Sequence, residues 1–164
     1  LLAHVDDASQ RGVVIGYDAR RKSELFALDT ALVLAARGIR SMIFSSVVPT
    51  PVRAWSITEL GAASGVMVTA SHNPPADNGY KVYLESGTQI VSPLDEEIAT
   101  YIADIDPLSV ELVEPDSASV TMLDDQLRQR YLSAVGHVLH GANTQPIRVA
   151  YTPCLLYTSD AADE

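Results

Sequence analysis

Residues 12–45 read GVVIGYDARRKSELFALDTALVLAARGIRSMIFS, and the order of apolar runs in this stretch decides the fold. Gly12 to Tyr17 is a continuous apolar run that stops at Asp18, the pattern of a strand covered on both faces whose C-terminal end meets solvent. Leu25, Leu28, Leu32 and Ala35 then recur at helical spacing, with Ser23 as the expected N-cap and Gly38 as the left-handed stop. Ile39 to Ser45 returns to a strand-like run. Strand, helix and strand in this order form a βαβ unit, which builds a parallel sheet with helices packed on it.

The pattern continues outward. Pro49-Thr50-Pro51 breaks the chain, with Thr50 as N-cap and Pro51 as first residue of a helix running to Leu60 and closed by Gly61. Gly65 to Thr69 reads as a third strand. After the loop Ala70 to Gly79, Tyr80 to Leu84 and Thr88 to Val91 read as short strands joined by a turn at Glu85-Ser86-Gly87. The expected fold is therefore α/β: a three-layer α/β/α domain over residues 1–105 with a mostly parallel, mixed sheet. Ser92-Pro93-Leu94-Asp95 resembles a capping box, and Leu94, Ile98, Tyr101, Ile102 and Ile105 form an apolar helix face expected to close that domain.

Asp, Pro, Ser and Glu dominate 106–120, which reads as a connector. Thr121 is expected to cap a helix in which Leu123, Leu127, Tyr131, Val135 and Val138 face inward, so that 106–145 serves as linker and interdomain bridge. Residues 146–153, beginning Pro146 to Tyr151, read as the first strand of a second domain. The sequence contains no internal repeat.

At 164 residues, with 47% apolar and 20% charged residues, the chain has the balance of a globular protein, one domain plus the start of another. Its formal net charge of -10 repels a nucleic-acid backbone or an anionic membrane surface on average, which leaves a small phosphorylated ligand at a focused site as the compatible partner. A single cysteine, Cys154, excludes an internal disulfide and fits a reducing, cytoplasmic setting. No run approaches the ~20 apolar residues of a membrane span, and Leu1 to Val5 is too short for a signal peptide. The opening at Leu1 in place of Met leads us to expect upstream sequence.

The chemistry concentrates in Thr69-Ala70-Ser71-His72-Asn73-Pro74-Pro75 and Asp77-Asn78-Gly79-Tyr80-Lys81. This loop and Asp18-Ala19-Arg20 both lie at strand ends, where open α/β sheets gather ligands. Phosphoryl transfer needs a nucleophilic oxygen, donors around a phosphate dianion and a cation to spread developing charge. Ser71 offers the oxygen, His72, Lys81 and Arg20 offer positive charge, Asn73 offers an amide, and the prolines stiffen the loop. Taken singly these residues carry little: a Ser-His pair in a loop is usually only a turn, Lys81 a solvated strand residue, Arg20 a surface ion-pair partner, and Asn78-Gly79 a tight turn. Their combined spacing carries the catalytic reading. Met42, Met67, Met122 and Trp55 read as packing, and His4, His137 and His140 lack ligand-like partners.

The run Thr69 to Pro74 resembles the active-site signature of the alpha-D-phosphohexomutase superfamily. Gly16 to Arg20, Pro49 to Pro51, Gly65 to Val68 and Asp77 to Tyr83 follow in that family's order, so the resemblance covers 12–105 and is closest to the phosphoglucomutase and phosphopentomutase branch. It implies a phosphoserine at Ser71 that passes its phosphoryl group to a sugar monophosphate and regains one from the bisphosphate intermediate. It further implies support from Arg20 and Lys81, a lining role for His72, phosphate or substrate contacts from Asn73 and Asn78, and a Mg2+ ion bound partly through the Ser71 phosphate. The remaining metal ligands would lie in a second domain, and domains II–IV of the same chain would complete the cleft.

Residues 154–164, CLLYTSDAADE, depart from that pattern and are expected to be a non-native tail. The fragment alone is expected to be inactive. Phosphomannomutase, sugar-bisphosphate synthase and a non-catalytic sugar-phosphate-binding domain stand as alternatives. A serine hydrolase lacks its Gly-x-Ser-x-Gly elbow here, and a phosphate-loop kinase lacks its Gly-x-x-x-x-Gly-Lys run.

Overall fold

The computed structural model describes residues 5–138, 146 and 148–150. In chain order it contains α1 (Ala8–Arg11), β1 (Val13–Tyr17), α2 (Ser23–Ala36), β2 (Ser41–Phe44), α3 (Thr50–Glu59), β3 (Ser64–Val68), β4 (Tyr80–Leu84), α4 (Leu94–Ala103), a 3-10 turn (Pro107–Ser109), β5 (Val120–Leu123) and α5 (Gln126–Gly136). One five-stranded sheet runs β4-β3-β1-β2-β5. Only β4 is antiparallel, against β3, so the sheet is mixed and mostly parallel as expected.

The pleat of β1 sorts the core into two layers, because alternate side chains leave opposite faces of a strand. Val14 joins Met42, Phe44, Met67 and Tyr83 under Val52 and Ile57 of α3 and Leu127 of α5. Val13, Ile15 and Tyr17 join Ile43, Val66 and Val68 under Ala27 and Ala31 of α2. Every residue of β1 is buried, which explains its unbroken apolar run.

Glycine lets α3 approach the sheet. A Cβ on Gly16 would stand 2.8 Å from Arg53 Cγ, and one on Gly65 would stand 2.7 Å from an Arg53 terminal nitrogen. Arg53 itself is fully buried, with its guanidinium carbon 3.5 Å from the centroid of the Tyr83 ring. None of its three side-chain nitrogens has a hydrogen-bond acceptor among the described residues. Burial pushes its pKa down to about 10, partly opposed by Tyr83.

Several local expectations change. Lys22, with φ of 66°, stands at the N-cap of α2, and Ser23 is the first helical residue, because its hydroxyl is committed to Asp18 and not to the helix backbone. Pro49, not Thr50, is the N-cap of α3. Gly38 and Gly61 close their helices at φ of 71° and 62°. The strand over Thr88 to Val91 reduces to a single bridge between Gln89 and Tyr83, although the turn at 85–87 forms as read.

The largest corrections lie beyond residue 90. Leu94 and Ile98 of α4 are only half-buried, and Tyr101, Ile102 and Ile105 are exposed, so α4 does not seal the domain. Thr121 caps no helix: it lies in β5, which pairs with β2 from Ser41 and Val120 to Phe44 and Leu123. Within the span read as linker and bridge, Val120–Leu123 therefore adds a strand to the same sheet. In α5, Leu127 is buried and Tyr131 meets Trp55 edge-on at 5.7 Å, whereas Val135 is exposed, as are Val138 beyond the helix and Met122. Pro146 and Arg148 to Ala150 show no strand pairing; Ile147, Tyr151, the tail 154–164, His4 and His140 lie outside the described residues.

Candidate active site

The site starts from strand register. Tyr17 of β1 pairs with Val68 of β3, so the two chains leave the sheet side by side, and the Asp18 N–H donates to the Val68 carbonyl at 3.2 Å. The loop from β3 to β4 is closed at its base by the Thr69 N–H donating to the Gly79 carbonyl at 3.0 Å. Only glycine fits at 79, because a Cβ there would sit 2.5 Å from the Thr69 carbonyl oxygen.

Within this loop Ser71 has φ of 56°, in the left-handed region that costs a non-glycine residue on the order of 1 kcal/mol or more. Its N–H donates to the buried Thr69 hydroxyl at 3.0 Å, and its own hydroxyl lies 3.1 Å from His72 Nδ1. Further turns run from the Asn73 N–H to the Ala70 carbonyl (3.1 Å) and from the Asp77 N–H to the Pro74 carbonyl (3.0 Å). Ser71 is half-buried, while His72, Asn73, Pro74 and Pro75 are exposed to solvent.

Arg20 occupies the inside of the loop. It is buried, and its two terminal nitrogens donate to the carbonyls of Ser71, Asn73 (2.8 Å), Pro74 (2.6 Å) and Asp77 (3.2 Å). Its Nε faces Asp18 Oδ2 at 3.2 Å, with both side chains sealed from solvent. Asp18 Oδ1 accepts from the Arg20 N–H (3.1 Å) and from the Ser23 hydroxyl (2.7 Å), and Ser23 accepts in turn from Asn78 Nδ2 (2.9 Å).

The structure thus brings Arg20, Ser71, His72, Asn73 and Asn78 to one strand-end loop. Arg20 faces the loop's main chain, and the Asn78 amide group is used within the protein. Lys81, opposite Met67 in β4, is half-buried, and its side chain makes no hydrogen bond or ion pair among the described residues. Sequence reasoning placed Asp18 and Thr69 in the two strand-end loops without giving either a role, and read Ser23 only as a helix cap; the position of Asp18 at a buried strand's end, two residues before Arg20, was the available signal.

The described residues hold no group of three His, Cys, Asp or Glu side chains able to ligate a metal ion. No described helix is long and apolar enough to cross a membrane.

Comparison with known proteins agrees with this architecture. Residues 1–109 match the family model described as "Phosphoglucomutase/phosphomannomutase, alpha/beta/alpha domain I". A Haemophilus influenzae protein named "Probable phosphomannomutase" is 44% identical over 124 residues, covering 74% of this chain and 25% of that protein. A Schizosaccharomyces pombe protein named "Probable phosphoribomutase" is 38% identical over 161 residues, covering 93% of this chain and 27% of its own length. The chain thus spans about a quarter of these relatives. The open form of the Paramecium phosphoprotein pp63/parafusin superimposes with a TM-score of 0.61 at 18% identity, over 82% of this chain and 29% of that one, a likeness of fold alone. With residues 1–109 of 164 matched, this chain belongs to the phosphoglucomutase/phosphomannomutase family.

Proposed function

We propose that this chain is the phosphoserine-bearing first domain of a longer phosphosugar mutase that interconverts a sugar 1-phosphate with its 6-phosphate, or a pentose 1-phosphate with its 5-phosphate. The observation that carries this reading is the Ser71 hydroxyl, presented from left-handed backbone on a loop pinned from within. In the forward reaction, phosphorylated Ser71 gives its phosphoryl group to the free hydroxyl of a sugar monophosphate, leaving the serine hydroxyl and a sugar bisphosphate. After the bisphosphate turns over, Ser71 takes the other phosphoryl group and the isomeric monophosphate leaves.

His72, 3.1 Å from the Ser71 hydroxyl, is the candidate to exchange its proton. Lys81, in the strand that leaves the loop, is the candidate to meet the phosphoryl oxygens. Asn73, exposed on the loop, is a candidate phosphate contact. Mg2+, bound through one oxygen of the Ser71 phosphate and ligands outside this chain, would neutralise charge on the transferring group. The choice among glucose, mannose and pentose phosphates, and between mutase and bisphosphate synthase, belongs to sequence beyond this chain.

The test is mass spectrometry of the full-length gene product, purified without phosphatase exposure. A phosphoryl group on Ser71 that chases into added glucose 1-phosphate or ribose 1-phosphate supports the mutase, and Ser71→Ala should abolish turnover by several orders of magnitude. A protein that binds sugar phosphate but never labels Ser71 would be a binding module instead.

A further inference from the structure

Arg20 is a cation beside the candidate nucleophile, yet its geometry is wrong for a group that meets substrate. The guanidinium is buried, four of its N–H bonds are spent on the carbonyls of Ser71, Asn73, Pro74 and Asp77, and Nε is set against Asp18. The charge is also neutralised locally, because Asp18 is equally sealed. What remains is orientation.

In a trans peptide the N–H points opposite to its carbonyl. Drawing the Ser71 and Asp77 carbonyls inward onto Arg20 therefore turns the His72 and Asn78 N–H bonds outward. The other two carbonyls held by Arg20 belong to peptides whose nitrogens are those of Pro74 and Pro75, which carry no hydrogen. Four of the loop's carbonyls are thus gathered onto Arg20, while the His72 N–H, next to Ser71, faces outward as a donor that a phosphate dianion can use.

We infer that Arg20, held by Asp18, is a positioning residue: it clamps the main chain of 71–77 so that the carbonyls of Ser71, Asn73, Pro74 and Asp77 turn away from the phosphoryl group on Ser71 and the His72 N–H is left to face it. Ser23 extends the clamp by bridging Asp18 to Asn78, which ties down the far end of the same loop. This rests on the reading of Ser71 as a phosphoryl carrier.

The test is Arg20→Lys in the full-length gene product. Lysine keeps the charge but loses the planar fork, so it cannot hold four carbonyls at once. If Arg20 acted as a charge, the variant would stay near parent activity. A clamp predicts that kcat falls by ~100-fold with KM for the sugar phosphate within about threefold, because the loop is misplaced while substrate binding elsewhere persists. The loop should also become cleavable between 71 and 79 under limited proteolysis. Parent-like kcat with an intact loop would overturn the inference. Should Arg20→Lys not fold, Ser23→Ala decides on the same readouts: a kcat loss of about fivefold or more at unchanged KM is expected, and no loss overturns the clamp. A parent protein that never carries phosphate on Ser71 overturns the mutase reading itself, a result distinct from either variant's.

Discussion

Replacing Arg53 by methionine should make the protein more stable. Arg53 is fully buried without a hydrogen-bond acceptor among the described residues, and burial pushes its pKa down to about 10. That depression disfavours the charged form by about 3 kcal/mol at neutral pH. Against this stands the contact over the Tyr83 ring, worth ~2 kcal/mol when desolvated. Methionine fills much of the same path between Gly16 and Gly65, and its sulfur retains an attractive contact with the ring. The net gain is ~1–2 kcal/mol, read as an upward shift of the urea midpoint by roughly 0.5–1 M in far-ultraviolet circular dichroism melts.

The sign with pH is fixed as well. A base whose folded pKa is depressed carries its full penalty below that value, and the penalty is relieved as pH rises above about 10. The stability difference between parent and variant should therefore hold from neutral pH to about 10 and narrow above it. A variant less stable than the parent by ~1 kcal/mol or more would show that the guanidinium makes net stabilising bonds in the folded protein.

Other expectations follow from the same geometry. Gly79→Ala places a Cβ 2.5 Å from the Thr69 carbonyl and should cost ~1–3 kcal/mol in thermal melts while opening the loop to protease. Leu127→Ala, by removing the buried anchor of α5, should cost ~2–4 kcal/mol. Ending the chain at Ile105 uncovers the edge of β2 that β5 occupies, so size-exclusion chromatography should show aggregates where a chain ending at Val138 elutes as a monomer. Ser86→Ala, on the exposed turn after β4, should change stability by less than ~0.5 kcal/mol and leave phosphoryl labelling of Ser71 intact.

The parallel core was legible because its strands are buried on both faces and its helices end on glycines: β1, α2, β2, α3 and β3 all fall within a residue or two of their expected bounds. β5 was not. It has four half-buried or exposed residues, and its partner, β2, lies some eighty residues earlier, so neither period nor local context marks it. The apolar face of α4 was read correctly as apolar, but periodicity carries no information about whether anything covers it. In the site, residue types announced a phosphoryl-handling loop, yet a sequence names only side chains. That Arg20 spends its hydrogen bonds on main-chain oxygens could be seen only once the chain was folded.

The same fact has an evolutionary consequence. An anchor that grips peptide oxygens is indifferent to which side chains project from those peptides, so the outward positions 72, 73 and 76 are free to diversify without untying the turn. Selection could retune what this platform handles one substitution at a time, while its shape is inherited unchanged from two residues at the end of a neighbouring strand.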